Sequence, residues 1–250
     1  MFDVAMVRVI LRAAGVACAA ALLAACSQAS RLDAQCMSGN VAVCTQLGDM
    51  YASGRGVPRD LGRAAAAYQR ACDGGVADVC TMLGEMVERM DAAEGGLPRA
   101  EQLLTKACGL GSAHGCLSLG LLAAANEDMT KALSLYEKSC DGGWAPGCHQ
   151  LALTYEQGDG VLKDVPKALT LYTQACDGES VESCVAAGTL YLGGDAAIAR
   201  DLLAATRFYG KALVLYKEGC DAGSHPDCIE QERMRTRLAV ISTGQVPTNK

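Results

Sequence analysis

The residues in this 250-residue chain that could do chemistry are its 14 cysteines. Twelve of them fall into six pairs whose members are eight residues apart. Paired thiols can form disulfides or bind zinc. The six pairs are Cys36–Cys44, Cys72–Cys80, Cys108–Cys116, Cys140–Cys148, Cys176–Cys184 and Cys220–Cys228.

The spacing favours disulfides over zinc. Zinc ligands are usually about two to four residues apart and often include histidine. Here seven residues separate the cysteines of each pair. The three histidines, His114, His149 and His225, each lie near a different cysteine pair. Regular cysteine pairs are typical of proteins in an oxidising compartment. We therefore predict six disulfides and no metal site.

The cysteine pairs recur at a regular interval. Their first members follow one another after 36, 36, 32, 36 and 44 residues, and a period of about 20–50 residues is typical of solenoids. In each interval two segments have apolar residues at helical spacing, as in Cys44, Leu47 and Tyr51, and glycine-rich turns separate them. This pattern predicts an all-α solenoid of about five helix pairs.

The helices must position the cysteines. The first cysteine of a pair lies at the end of one predicted helix, and the second lies in the first turn of the next. A short turn such as Asp73-Gly74-Gly75 then brings their Cα atoms within the ~4.4–6.8 Å that a disulfide requires. Closing so short a loop stabilises the fold by about 2.5 kcal/mol per bridge in the chain-entropy model.

Both ends of the chain differ from the repeats. Residues 1–25 have the basic start and apolar run of an export signal, and the run is shorter than the ~20 residues that span a bilayer. At the other end, Ile229–Val240 predicts a polar capping helix and 241–250 a disordered tail.

The apolar run ends in Leu22-Leu23-Ala24-Ala25-Cys26-Ser27, which resembles the lipobox of bacterial lipoproteins. The resemblance implies cleavage before Cys26, lipidation of its sulfur and an anchor with a short lead-in over residues 26–35. Ser27 is not the aspartate linked with inner-membrane retention, so the expected location is the outer membrane, facing the periplasm or the surface. An ordinary signal peptide with an incidental cysteine, giving a secreted protein, is the alternative.

The repeats also resemble a known family. The pattern A-x-x-C-x-x-L-G-x-x-Y-x-x-G-x-G-V-x-x-D, followed by K-A and a helix ending in A-C-D-x-G, is similar to the Sel1-like repeat, and its cysteines are similar to the Helicobacter cysteine-rich form. The resemblance implies a right-handed superhelix related to tetratricopeptide repeats over residues 36–240. It also implies one of two functions, a scaffold for other proteins or a protein that binds or slowly hydrolyses β-lactams.

Sequence motifs for catalysis are missing. No serine has a lysine three residues later, although Ser134 has Lys138 at the fourth position, and Lys-Thr-Gly is absent. No c-type haem motif supports a redox role, and no cofactor is predicted. A net charge of −6 also disfavours binding to nucleic acid. The sequence therefore assigns no catalytic residue, and enzyme activity rests on the family resemblance alone.

A binding face is predicted by analogy with related helix pairs. The first, fifth and eighth residues after the cysteine of each first helix should line the concave face. The candidates are Thr45, Asp49, Thr81, Glu85, Glu88, Leu117, Leu121, His149, Leu153 and Glu156.

The aromatic residues divide into two sets. Tyrosines such as Tyr68, Tyr136, Tyr172 and Tyr216 stand four residues before a cysteine, so we interpret them as packing residues. Trp144 does not repeat and follows a glycine turn, where it could contact a partner or pack on the turn.

The main hypothesis is an exported, lipid-anchored scaffold that binds a protein or peptide at the cell envelope, and the alternative is a β-lactam-binding protein or slow β-lactamase.

Overall fold

The computed structural model describes residues 28–91, 96–194 and 197–243. The predicted signal peptide, Cys26 and the last seven residues lie outside the described residues. Every regular element in the described part is a helix. The helices are α1 (28–37), α2 (Val41–Ser53), α3 (Leu61–Asp73), α4 (Ala77–Asp91), α5 (Gly96–Gly109), α6 (Ala113–Ala125), α7 (Met129–Asp141), α8 (Ala145–Gln157), α9 (Val165–Asp177), α10 (Val181–Gly193), α11 (Leu202–Asp221) and α12 (His225–Ser242).

The predicted all-α fold of five helix pairs and a final helix is confirmed. The chain divides into two compact units, one up to Leu110 and one from Gly111. In the first unit α2 packs on α3, α3 on α4 and α4 on α5. In the second unit each helix from α6 to α12 packs on the next, and α6 also contacts α8. None of the described helices is both long and apolar enough to cross a membrane.

Small residues and one large side chain make the core of each helix pair. In the first pair Gly48 of α2 lies against the buried ring of Tyr68 in α3. A Cβ atom at Gly120 would come within 2.7 Å of Tyr136, and one at Gly188 within 2.8 Å of Tyr209. Because a larger side chain would force the helices apart, glycine sets the close packing at this position in four pairs, and the small Ala152 takes the same position in α8.

The disulfides join neighbouring helices as predicted. In five of the bridges the distance between the two Cα atoms ranges from 4.4 Å at Cys140–Cys148 to 4.8 Å at Cys36–Cys44. The other three are Cys72–Cys80, Cys176–Cys184 and Cys220–Cys228. Cys108 and Cys116 are disulfide-bonded as well. The other five bridges close the turns that precede α2, α4, α8, α10 and α12.

Helix α11 has two packing tyrosines, and Tyr209 rather than Tyr216 is the one that lies against the glycine of the preceding helix. Helix α11 has 20 residues, whereas the second helices α3, α7 and α9 have 13. The buried packing tyrosine is Tyr209, which lies against Gly188, and Tyr216 is only partly buried. Seven extra residues make about two helical turns, so they move the cysteine along the helix and leave the packing face unchanged.

The ends of the repeat region are longer than the sequence predicts. Residues 28–37 are helical and bury Ala29, so most of the predicted lead-in is part of the fold. Helix α12 runs to Ser242 and buries Gln231, Met234 and Ile241. The last packing residue of α12, Ile241, lies one residue beyond the predicted Ile229–Val240.

Candidate functional site

The second unit contains a groove of about 640 Å³. Its walls come from the middle of α6, from the turn and first residues of α8, and from the turn and first residues of α10. The lining side chains include Leu117, Leu121, Trp144, Pro146, His149, Gln150, Glu179, Ser180 and Glu182. A groove of this volume is in the range of sites that hold small ligands or a few peptide side chains.

One wall of the groove is apolar and accessible. Leu121 is 46% exposed and Trp144 is 39% exposed, although both are large apolar side chains. The indole of Trp144 stacks on His114, with ring centroids 5.0 Å apart and an angle of 26° between the planes. The stack holds the indole in place, and the exposed surface offers an apolar platform.

The other wall is acidic. Glu179 and Glu182 lie at the start of α10 and both are exposed. None of the lining residues is a lysine or an arginine. The groove therefore combines an apolar wall with two carboxylates.

His149 connects the two walls. Its Nδ1 atom lies 2.7 Å from Ser183 Oγ, and its ring lies 5.5 Å from that of Tyr172. Burial lowers the pKa of His149 below its ordinary value, while the carboxylates of Glu182 and Glu156 raise it and offset part of that effect. The neutral imidazole is therefore favoured in the folded protein.

A short polar chain ends at this histidine. The Ser180 hydroxyl lies 3.0 Å from Ser183 Oγ, which in turn contacts His149. Ser183 is fully buried, and the Ser180 oxygen accepts a hydrogen bond from the Ser183 backbone N–H at the start of α10. Since both hydroxyls take part in helix capping and packing, the arrangement does not present an exposed nucleophile.

Glu179 stands where the other turns have glycine. In the six described turns between helix pairs, the third residue after the cysteine has a positive φ. Five are glycines with φ from 80° to 95°, and Glu179 has φ 67°. A non-glycine residue in this left-handed region costs about 1–2 kcal/mol. The five glycines are Gly39, Gly75, Gly111, Gly143 and Gly223.

Trp144 stands at a helix-capping position. The next residue of each turn precedes the following helix, and in four of the six turns it is Asn or Ser. Asn40, Ser112 and Ser180 accept a hydrogen bond from a backbone N–H in the first turn of that helix. Trp144 makes no such bond, and neither does Ser224. Losing a capping side chain typically costs about 1 kcal/mol.

Leu121 and Ala124 stand at the two positions where other repeats hold a hydrogen-bond partner for the packing tyrosine, Asp49 at the first and Glu156 at the second. Tyr68 donates to Asp49 at 2.8 Å, and Tyr172 donates to Glu156 at 2.6 Å. Tyr136 faces α6, whose equivalent positions are Leu121 and Ala124. Its buried hydroxyl makes no hydrogen bond of good geometry within the described residues, and Gln150 is the polar side chain near it.

The structure brings together only part of the predicted concave face. Leu117, Leu121 and His149 line the groove. Leu153 and Glu156 do not line it, and Glu156 is bound to Tyr172.

The remaining candidates lie in the first unit. Asp49 holds the Tyr68 hydroxyl, and Thr45 and Glu88 are partly buried. Glu85 lines a separate groove of about 420 Å³ that also contains three methionines of α4. Thr81 is 1% exposed, so its inclusion in the binding face is wrong, because α4 presents that position to the core.

Sequence reasoning missed Glu179 and Glu182. The signal for Glu179 was present, since Asp177-Gly178-Glu179-Ser180 breaks the Asp-Gly-Gly pattern of other turns. Trp144 directly follows a glycine turn, and its indole both packs on His114 and remains partly exposed. Within the described residues, no group of three or more His, Cys, Asp or Glu side chains could hold a metal ion.

Comparison with known proteins identifies the repeat. The family model for the Sel1 repeat matches residues 41–76, 113–144, 145–180 and 181–224, which together make up more than half of the chain. The segment between the first two matches contains α4 and α5. No curated protein matches the sequence at the required significance.

Solved structures share the fold. A protective antigen of uropathogenic Escherichia coli is 22% identical with a TM-score of 0.66, over 85% of this chain and 48% of that one. This chain thus spans about half the length of that antigen. A Sel1 repeat protein from Oxalobacter formigenes is 24% identical with a TM-score of 0.65, over 81% and 88% of the two chains. Helicobacter pylori cysteine rich protein B is 28% identical over 54% of this chain and 95% of that one, with a TM-score of 0.41.

Proposed function

Because the chain belongs to the Sel1 repeat family, we propose that it is a binding scaffold whose groove in the second unit holds a peptide segment of a partner protein. Repeats of this kind generally mediate contacts between proteins. The groove is open along one side and has an apolar wall, as expected of a site for an extended chain.

One observation carries the proposal. Three residues that lack a stabilising feature found in other repeats of the same chain line one groove: Leu121, Trp144 and Glu179. The missing features are the tyrosine hydrogen-bond acceptor that Asp49 provides in the first pair, the side-chain cap that three of the other turns provide, and the glycine that all five other turns have. Residues that break local rules at a shared site are typical of functional sites.

A displayed library of random peptides tests this function. The oxidised protein should enrich a defined set of peptides, and Leu121→Asp should abolish their binding by placing a charge on the apolar wall. Leu162→Asp is the matched control, because Leu162 is 92% exposed and lies outside the groove. Failure to enrich any peptide that depends on Leu121 would contradict the proposal.

We further propose that the protein is exported and carries a lipid on Cys26 at the outer membrane. The disulfides support export, since such bridges form in oxidising compartments. Radiolabelled palmitate should enter the wild-type protein in a bacterial host, and Cys26→Ser should prevent the labelling. Unlabelled wild-type protein that is still exported would favour the ordinary signal peptide.

The alternative of a slow β-lactamase remains a prediction from the family resemblance. The buried position of Ser183 and the capping role of Ser180 do not favour it. Turnover of a chromogenic cephalosporin by the oxidised protein, purified free of host β-lactamase, distinguishes the two functions. Saturable turnover in proportion to protein concentration would favour the enzyme, and none is expected from a binding scaffold.

A further inference from the structure

We propose that the groove recognises a basic side chain, arginine or lysine, that is adjacent to an apolar residue in the bound peptide. The inference rests on the proposed function and names the chemistry of its partner. The basic group would lie between Trp144 and the carboxylates of Glu179 and Glu182, and the apolar neighbour would contact Leu121.

Charge complementarity is the first argument. Glu179 and Glu182 are the charged residues of the groove, and neither carboxylate forms an ion pair with a described lysine or arginine. The N-termini of α8 and α10 each contribute about half a positive charge, which offsets part of this field. Ser180 already satisfies one N–H group of α10. Two formal negative charges therefore face a site without a cation of its own.

The indole of Trp144 is the second argument. Tryptophan is the strongest aromatic partner for a cation placed over its ring. The chain itself uses this contact elsewhere, since Lys167 Nζ lies 3.9 Å from the ring centroid of Tyr155 and the Arg63 guanidinium lies 5.5 Å from that of Tyr51. No described lysine or arginine lies over Trp144, whose stacking partner is His114. The exposed part of the indole can accept a cation from outside.

The backbone at Glu179 is the third argument. If the turn served only to connect α9 and α10, glycine would be the favoured residue, as in the other five turns. Asparagine or aspartate would be tolerated better than glutamate in the left-handed region. The long carboxylate side chain is therefore kept against the preference of the backbone, beside a groove that it makes negative.

Peptides that bind the groove provide the test. Binders from the random library should contain an arginine or lysine next to an apolar residue. Replacing that arginine by citrulline, or lysine by norleucine, should weaken binding about tenfold, as expected for a partly desolvated cation–π and ion-pair contact. The double variant Glu179→Gln/Glu182→Gln should weaken peptide binding by a similar factor. Glu137→Gln, on the exposed face of α7, should leave peptide binding almost unchanged.

A charge reversal sharpens the test. The variant Glu179→Lys/Glu182→Lys should enrich peptides that carry aspartate or glutamate at the same place. Binders that depend on Leu121 but carry no basic residue would overturn this inference and leave the proposed function standing. If no binder depends on Leu121, the proposed function itself fails.

Discussion

The turn between α9 and α10 and the turn between α11 and α12 have the same backbone and different side chains. In each, the residue of positive φ donates a backbone hydrogen bond to the cysteine carbonyl, at 3.0 Å from Glu179 and 2.9 Å from Gly223. The φ angles are 67° and 95°. The fold thus fixes the turn, and the side chain in it varies. In the turn between α9 and α10, which borders the groove, glutamate takes the place of the glycine that suits the backbone, whereas the turn between α7 and α8 borders the groove and keeps Gly143.

The same contrast holds for the whole groove. Leu121, Trp144 and Glu179 each lack a stabilising feature that other repeats have, while the small packing residue, glycine or Ala152, and the disulfides follow the pattern. We infer that the regular positions hold the helices and that the three departures serve binding.

Removing a disulfide should have the largest effect on stability. The Cys140–Cys148 bridge is buried, whereas Cys220 and Cys228 are partly exposed. Replacing either pair by serine should cost about 2.5 kcal/mol from the lost constraint on the unfolded chain. The buried pair should cost a further 1–3 kcal/mol or so, because two hydroxyls become buried. Urea unfolding of both variants measures the difference, and equal losses would contradict the account.

Leu121→Asp should restore the tyrosine hydrogen bond and stabilise the second unit. An aspartate there can accept from Tyr136 as Asp49 accepts from Tyr68. The free energy of unfolding should rise by about 1 kcal/mol, because the buried Tyr136 hydroxyl acquires a hydrogen-bond acceptor. Thermal unfolding of Leu121→Asp and of the double variant Leu121→Asp/Tyr136→Phe measures it. A gain that persists in the double variant would have another origin.

Glu179→Gly should raise the free energy of unfolding. Removing the left-handed strain of the glutamate backbone should raise it by about 1–2 kcal/mol. The greater freedom of glycine in the unfolded chain should lower it by about 0.5–1 kcal/mol, so a smaller net gain remains. Glu127→Gly is a matched control, because Glu127 has φ 63° and lies outside the groove. Both variants should unfold at higher urea concentration, but only Glu179→Gly should weaken peptide binding.

The smallest expected effect concerns pH. Burial lowers the folded-state pKa of His149 below its ordinary value of 6.5, so the folded protein disfavours protonation. This contribution to stability is therefore present above pH 6.5 and is lost as the pH falls through the lower folded-state pKa. His149→Gln should remove that part of the pH dependence. Unfolding curves from pH 7.5 to about pH 4.5 compare the two proteins, and parallel profiles would contradict the assignment.

The fold was predictable because its signals repeat. The fixed cysteine spacing, the glycine turns and the helical apolar pattern all recur, so each repeat supports the assignment of the others. The predicted disulfides follow from the same pattern. Tyr216 packs against the core as predicted, but Tyr209 takes the place of the other packing tyrosines, because α11 has about two extra helical turns before Cys220.

The groove was predictable only in part. Leu117, Leu121 and His149 follow from their helix positions, and Trp144 from its failure to repeat. Thr81 has the same position as His149, but α4 buries it, and sequence alone does not show how neighbouring helices cover a face. Glu179 could have been found by comparing the six turns in the sequence, because the other five have glycine at the same position.

The triple variant Leu121→Asp/Trp144→Ser/Glu179→Gly tests the central claim most directly, since it returns the groove to the pattern of the other repeats. Its free energy of unfolding and its affinity for the groove-binding peptides are measured beside those of the wild-type protein. The account predicts a gain of about 2 kcal/mol in stability, from the restored hydrogen bond, cap and turn, together with loss of peptide binding. A triple variant that is less stable than the wild type, or that still binds the peptides, would contradict it.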